Sequence, residues 1–286
     1  MFGKLCKYEF KSIARTLAPI YLAVIAVNVL NAFMGLGSMV NGYYDSLVHK
    51  FSFGKSLLGL IQMTATLAYF GVLVALSVLT LIVIIQRFYK GLLCDEGYLM
   101  FTLPVKPWQL IGAKSVAAFV MSLASGLAAL ISIVILMMGV AGPAAIFTEI
   151  TSPEMWGAIS RGLAMVPSWP LLLIELIVLT IVSGMSQLFH LYFSMALGHL
   201  ANKHRVMMSV VAFIAISMIV NFVSGFVMIT PVFRSFFNMF ETMPDLQGGV
   251  LLLHTVFMAS LVFSAVQLAI FFFGTERILA KRLNLE

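Results

Sequence analysis

Few side chains in this sequence have the type and spacing that catalysis needs. The five histidines, His49, His190, His199, His204 and His254, show no metal-ligand spacing, and neither an H-E-x-x-H nor a G-x-S-x-G pattern occurs. Cys6 and Cys94 are the only cysteines, and they fit no zinc or redox motif. Gly54-Lys55-Ser56 looks like the end of a phosphate-binding loop, but that loop requires glycine at the position held by His49. The expectation is a chain that is no enzyme, with no catalytic residues and no cofactor, nucleotide or metal site of its own.

Two polar groupings remain. In the first, Asp95, Glu96 and Gly97 precede a Tyr98-Leu99-Met100-Phe101 cluster, so two acids stand beside apolar anchors. That suits either a docking element for a soluble partner or an interfacial hairpin. In the second, Glu175, Ser183, Ser186, Gln187, His190, Ser194 and Gly198 occupy less than half of a helix circumference. Such a face either lines a substrate path or subunit interface, or supplies hydrogen bonds between helices worth about 0.6 kcal/mol each. Glu175 lies near the end of its apolar run and can also reach headgroup water.

The elements that must hold these residues are dictated by composition. The chain has 286 residues, 62% hydrophobic and only 10% charged, against about 25% charged in a soluble domain. Its mean hydropathy is +1.07. So little charge cannot solvate a surface of this size unless lipid replaces water over most of it. Crossing a hydrocarbon core of about 30 Å takes about 20 apolar residues, and runs of that length fall near 17–40, 65–87, 115–140, 170–198, 206–230 and 249–274. They are continuous, as from Val72 to Ile85, whereas barrel strands would alternate. The fold class is thus an all-α polytopic membrane protein with six transmembrane helices in a single domain, 1–286.

Basic residues are retained on the cytoplasmic side. Lys4, Lys7, Lys11 and Arg15 precede the first span; Arg87, Lys90, Lys106 and Lys114 lie between the second and third; Lys203 and Arg205 separate the fourth and fifth; Arg277, Lys281 and Arg282 follow the sixth. The other loops hold only Lys50, Lys55, Arg161 and Arg234. Both termini are therefore expected in the cytoplasm, where Cys6 and Cys94 stay reduced. The net charge of +6 is a topology signal and does not point to nucleic acid.

Residues 2–16 place Lys4, Lys7, Lys11 and Arg15 within about 80° of one another on a helical wheel, which predicts an amphipathic interfacial helix facing lipid headgroups. Its apolar continuation is too long for the core of a cleaved signal peptide. Glu9 interrupts the apolar face and asks for a protein partner. The connection from Arg87 to Lys114 reads as a short helix, a turn and a restart, with Pro104 and Pro107 forcing an extended break before Trp108. Pro231 to Asp245 is too apolar for a free loop and too short to span, which predicts a re-entrant or interfacial element before the sixth span. Polar stripes at Asn28, Asn31, Gly35 and Ser38, at Ser217, Asn221 and Gly225, and at Ser260, Ser264 and Gln267 mark faces expected to turn inward.

The opening MFGKLCKYEFKSIARTLAPIYLA and the run RFYKGLLCDEGYLMFTLPVKPWQLIGAKSVAAF resemble the permease subunits of ABC-2 type exporters of Firmicutes. The resemblance implies a connecting helix at the N-terminus and a coupling helix between spans 2 and 3 that rests on a separate ATPase. It places Asp95, Glu96, Gly97, Tyr98 and Leu99 in the coupling segment, and Leu103, Pro104 and Lys114 at the turn and the start of span 3. It also implies two ATPase copies carrying ATP and Mg, and a second permease, identical or homologous. Members export peptides, antibiotics, lipids, polysaccharides and ions, so the substrate stays open. The other reading of the residues is a self-contained channel, ion-coupled carrier or envelope or sporulation factor with no ATPase.

Overall fold

The computed structural model describes residues 2–48, 52–94, 97, 105–201, 203–229 and 246–281; these are overwhelmingly helical, with no strand among them. In chain order the helices are α1 (Phe2–Val48), α2 (Ser52–Phe88), α3 (Pro107–Ala141), α4 (Pro143–Thr151), α5 (Pro153–Met165), α6 (Trp169–His199), α7 (Arg205–Ile229) and α8 (Leu246–Lys281). A π-helical turn, Tyr89–Leu93, continues α2. Six segments are long and apolar enough to cross a membrane: Phe2–Ala32, Met63–Leu93, Pro107–Gly139, Trp169–His199, Arg205–Phe226 and Gly248–Ala280. Each overlaps one of the six expected runs. Their outward faces carry exposed Leu22, Leu67, Leu130, Ile177, Met218 and Val262, the inverse of a water-soluble surface.

The expected interfacial stretch 2–16 is helical and runs into the first span within α1, with Pro19 inside the helix. The 141–169 loop holds two short helices. Pro143 and Pro153 begin them at the position where a missing N–H costs nothing. Gly142 enters α4 at φ 87°, and the Ser152 hydroxyl accepts from the Met155 N–H at 3.2 Å to cap α5. The expected re-entrant element at 231–245 lies outside the described residues.

The chain divides into two compact units. One comprises Tyr8–Ile84 and Val120–Ile159. Within it the helices are joined by hydroxyls and amides: Tyr21 Oη and Ser125 Oγ are 2.7 Å apart, Thr80 Oγ1 and Ser125 Oγ 2.9 Å, and Tyr69 Oη and Ser132 Oγ 3.1 Å. Asn28 Nδ2 donates to Ser132 Oγ and Asn31 Nδ2 to the Ala65 carbonyl at 2.9 Å. Both asparagines thus face inward, as their spacing predicts, while the side chains of Gly35 and Ser38 lie outside the described set. Backbone meets backbone where α1 and α3 approach, since a Cβ on Gly139 would collide with the Cα of Ala32.

The other unit comprises Met1–Lys7, Ile85–Phe119 and Ser160–Glu286. Here α6 packs on both α7 and α8, with Phe189 edge-on to Phe272 at 5.2 Å and Phe193 stacked on Phe271 at 5.6 Å. The residues between the second and third spans belong to this unit, together with α6, α7 and α8.

Candidate functional site

The connection between α2 and α3 starts where the α-helix gives way to the π turn. Phe88, fully buried, stacks on Tyr192 of α6 at 3.9 Å and 8°. Tyr89 meets His199 edge-on at 5.8 Å. His199 Nε2 lies 3.3 Å from Arg205 Nη1. A guanidinium only donates, so Nε2 accepts and the imidazole proton resides on Nδ1. Leu92 and Leu93 are buried, and the chain then opens to an extended Cys94.

The Gly97 N–H donates to the Cys94 carbonyl at 2.7 Å, closing a tight turn. Gly97 is pressed against the π turn, where an added Cβ would sit 2.6 Å from the Leu92 carbonyl oxygen. Asp95, Glu96, Tyr98 and Leu99 lie outside the described residues, as do Leu103 and Pro104. On the far side of the connection Lys114 is buried with 4% exposure. Its ammonium occupies the space a Cβ on Gly91 would need, at 2.6 Å. At Gly91 the crowding atom is thus the far end of a flexible side chain and not backbone.

The polar face of the fourth span is divided by the packing of α6. Ser186, His190, Ser194 and Gly198 are buried. Ser186 Oγ donates to Gln267 Oε1 of α8 at 3.3 Å, and Ser194 Oγ returns its proton to the His190 carbonyl at 2.7 Å. The His190 ring lies between Phe213 of α7, 4.8 Å away, and Phe271 of α8, 5.1 Å away, nearly parallel to both. Its Nε2 has no hydrogen-bond partner among the described residues. Ser183 is half-buried and, among the described residues, bonds within its own helix to the Thr180 carbonyl at 3.5 Å. Gln187 is exposed. In α7, Asn221 is also exposed, so that stripe does not turn wholly inward within one chain.

Glu175 stands near the opposite end of α6 from His199. Its Oε2 is 2.8 Å from Nδ1 of His254 on α8, and His254 Nε2 is 2.9 Å from Ser168 Oγ. This trio escapes a reading by local spacing because 79 positions separate Glu175 from His254. The available signal is the presence of ionisable residues inside apolar runs. Among the described residues no three of His, Cys, Asp and Glu are grouped as a metal site. Compared with known proteins, the chain matches no family model, no curated sequence and no solved structure.

Proposed function

We propose that the chain is the permease subunit of an ATP-binding-cassette exporter in a bacterial cytoplasmic membrane. It passes through the membrane six times with both termini in the cytoplasm, and it moves its substrate with energy from ATP hydrolysed, with Mg, on two separate ATPase subunits. The observation that carries this reading is the anchoring of the 87–114 connection. Its flanks are fixed by the Phe88–Tyr192 stack, by buried Leu92 and Leu93, and by buried Lys114. A displacement received at Asp95 to Leu99 enters one compact unit that includes α6, α7 and α8. Rigid packing of this kind transmits a push, whereas a solvated loop would absorb it.

A second permease copy, or a homologue, completes the membrane part. Exposed Gln187 and Asn221 favour this, because polar side chains within apolar spans require protein or water as neighbours. Residues 2–16 and 231–245 serve as the connecting helix and the re-entrant element. Lipid is the remaining partner.

Co-purification tests the proposal. The chain extracted in mild detergent from its native cells should bring down a soluble ATPase that carries a phosphate-binding loop. In nanodiscs alone it should hydrolyse ATP no faster than empty discs. Robust hydrolysis by the isolated chain would refute the assignment. So would ion conduction by the chain alone with no ATPase recovered, which is the behaviour of a self-contained channel.

A further inference from the structure

The trio at the start of α6 has the connectivity of a nucleophile, a base and an orienting acid. We propose that Ser168, His254 and Glu175 form an acyl-transfer site that cleaves carboxylic esters bearing an apolar acyl chain. The hypothesis stands independently of the transport reading.

Geometry assigns the roles. His254 donates from Nδ1–H to Glu175 Oε2 at 2.8 Å, which leaves Nε2 of the neutral ring as an acceptor facing Ser168 Oγ at 2.9 Å. Accessibility is graded in the required order. Ser168 is exposed, while the side chains of His254 and Glu175 retain 16% and 13%. Glu175 is a positioning residue that fixes the tautomer of the base, and Ser168 and His254 are the catalytic residues.

Ser168 also forgoes the work its position normally gives a serine. It is the N-cap of α6, where a hydroxyl usually accepts a bond from the first-turn N–H groups, yet it makes no side-chain cap bond. Its backbone is left-handed, φ 55° and ψ 29°, a conformation serine rarely adopts and one that often accompanies function. The hydroxyl donates to the Pro167 carbonyl at 2.7 Å and turns that proton to His254 Nε2, 2.9 Å away, for the reaction. Among the first N–H groups of α6, those of Leu171 and Leu172 are taken by the Ser168 carbonyl and Pro170 has none. The Trp169 N–H, directly after the nucleophile, has no intrahelical acceptor, and the proposal assigns it to the developing oxyanion. Leu171 and Leu251, each one turn from a catalytic residue, are exposed and give the site an apolar border.

In the first step Ser168 Oγ bonds to the ester carbonyl carbon while its proton passes to His254 Nε2. The tetrahedral adduct collapses, the carbon–oxygen bond to the alcohol breaks, and the alcohol leaves with the proton from His254. Water then attacks the acyl-serine, giving a proton to His254 that returns to Ser168 as the carboxylic acid departs. The sum is ester plus water to acid plus alcohol.

The test uses the full chain in phospholipid nanodiscs with an alkyl fluorophosphonate, read by mass spectrometry of the modified peptide. Ser168 should be labelled, S168A should abolish labelling and hydrolysis of p-nitrophenyl octanoate, and H254Q should slow labelling by about 100-fold or more. E175Q should slow it as well, and E175D should restore part of the rate, an effect that loss of packing alone does not produce. Thermal unfolding of each variant verifies that it is folded. Absence of label on Ser168 in the parent chain, or a labelling rate that H254Q leaves unchanged, would overturn the proposal and reduce the trio to a tether between α6 and α8.

Discussion

Asn28 and Ser132 are each completely buried, and together with Tyr69 they form a polar contact among α1, α2 and α3. In an apolar environment no water stands ready to replace such a bond, yet the unfolded chain in detergent also finds partners, so the net value stays small. Asn28→Ala should therefore lower stability by about 1 kcal/mol, visible as a lower midpoint in thermal unfolding of the purified protein. Asn28 and Asn31 were legible in the sequence because polar residues three apart in an apolar run can share only an inward face. Ser125 and Ser132 were not, since a lone serine in such a run looks the same whether it bonds across helices or to its own backbone. The Glu175–His254 pair was illegible for a different reason. Periodicity reports neighbours on one helix and is silent about which helices meet.

The junction after α2 is an element whose behaviour can be separated residue by residue. Gly97 and Gly91 are both crowded, but by different things. A methyl at 97 meets a backbone carbonyl that is held by the π turn, whereas a methyl at 91 meets the tip of the Lys114 side chain. On the proposed reading, Gly97→Ala should weaken association with the ATPase about tenfold, equivalent to about 1.4 kcal/mol, while Gly91→Ala should change it less than twofold; quantitative pull-down with the proposed ATPase measures both. If Tyr98 and Leu99 are the proposed docking anchors, replacing both with alanine should abolish export and weaken association, with membrane insertion intact, because truncating an interface hot spot typically costs at least about 2 kcal/mol. Alanine at Ser183 and Gln187 should leave association unchanged. Unchanged affinity and transport in the double anchor mutant would return the segment to an interfacial hairpin. The spans were legible because length and apolarity suffice to define them. Helices α4 and α5 were not, although Pro143 and Pro153 mark their starts, because their short apolar pieces are also compatible with loop segments seated in an interface.

At the scale of the whole molecule, the distribution of Lys and Arg predicts which ends of the helices share a compartment. Single cysteines near residues 10, 100, 203 and 282 should resist an impermeant maleimide in intact cells, and those near 50, 155 and 240 should react. Labelling at 100 with protection at 155 would invert the topology. Charge gives an expectation for this orientation, but it could not reveal that the 87–114 connection groups with α6, α7 and α8, which depends on ring stacking between distant segments. The π turn at Tyr89–Leu93 adds a constraint of a different kind. Such a turn holds one residue more than an α-helix would, and deleting Lys90, which is exposed, would let ordinary helical bonding resume. The turn absorbs its extra residue locally, so after the deletion the flanking residues would keep their phase, and Leu92 and Leu93 would stay on the surface they now fill. Deleting Lys90 should consequently leave the midpoint of thermal unfolding nearly unchanged, whereas deleting one residue from the regular part of α2 would turn everything after it by about 100° and draw it back by about 1.5 Å, and should lower that midpoint.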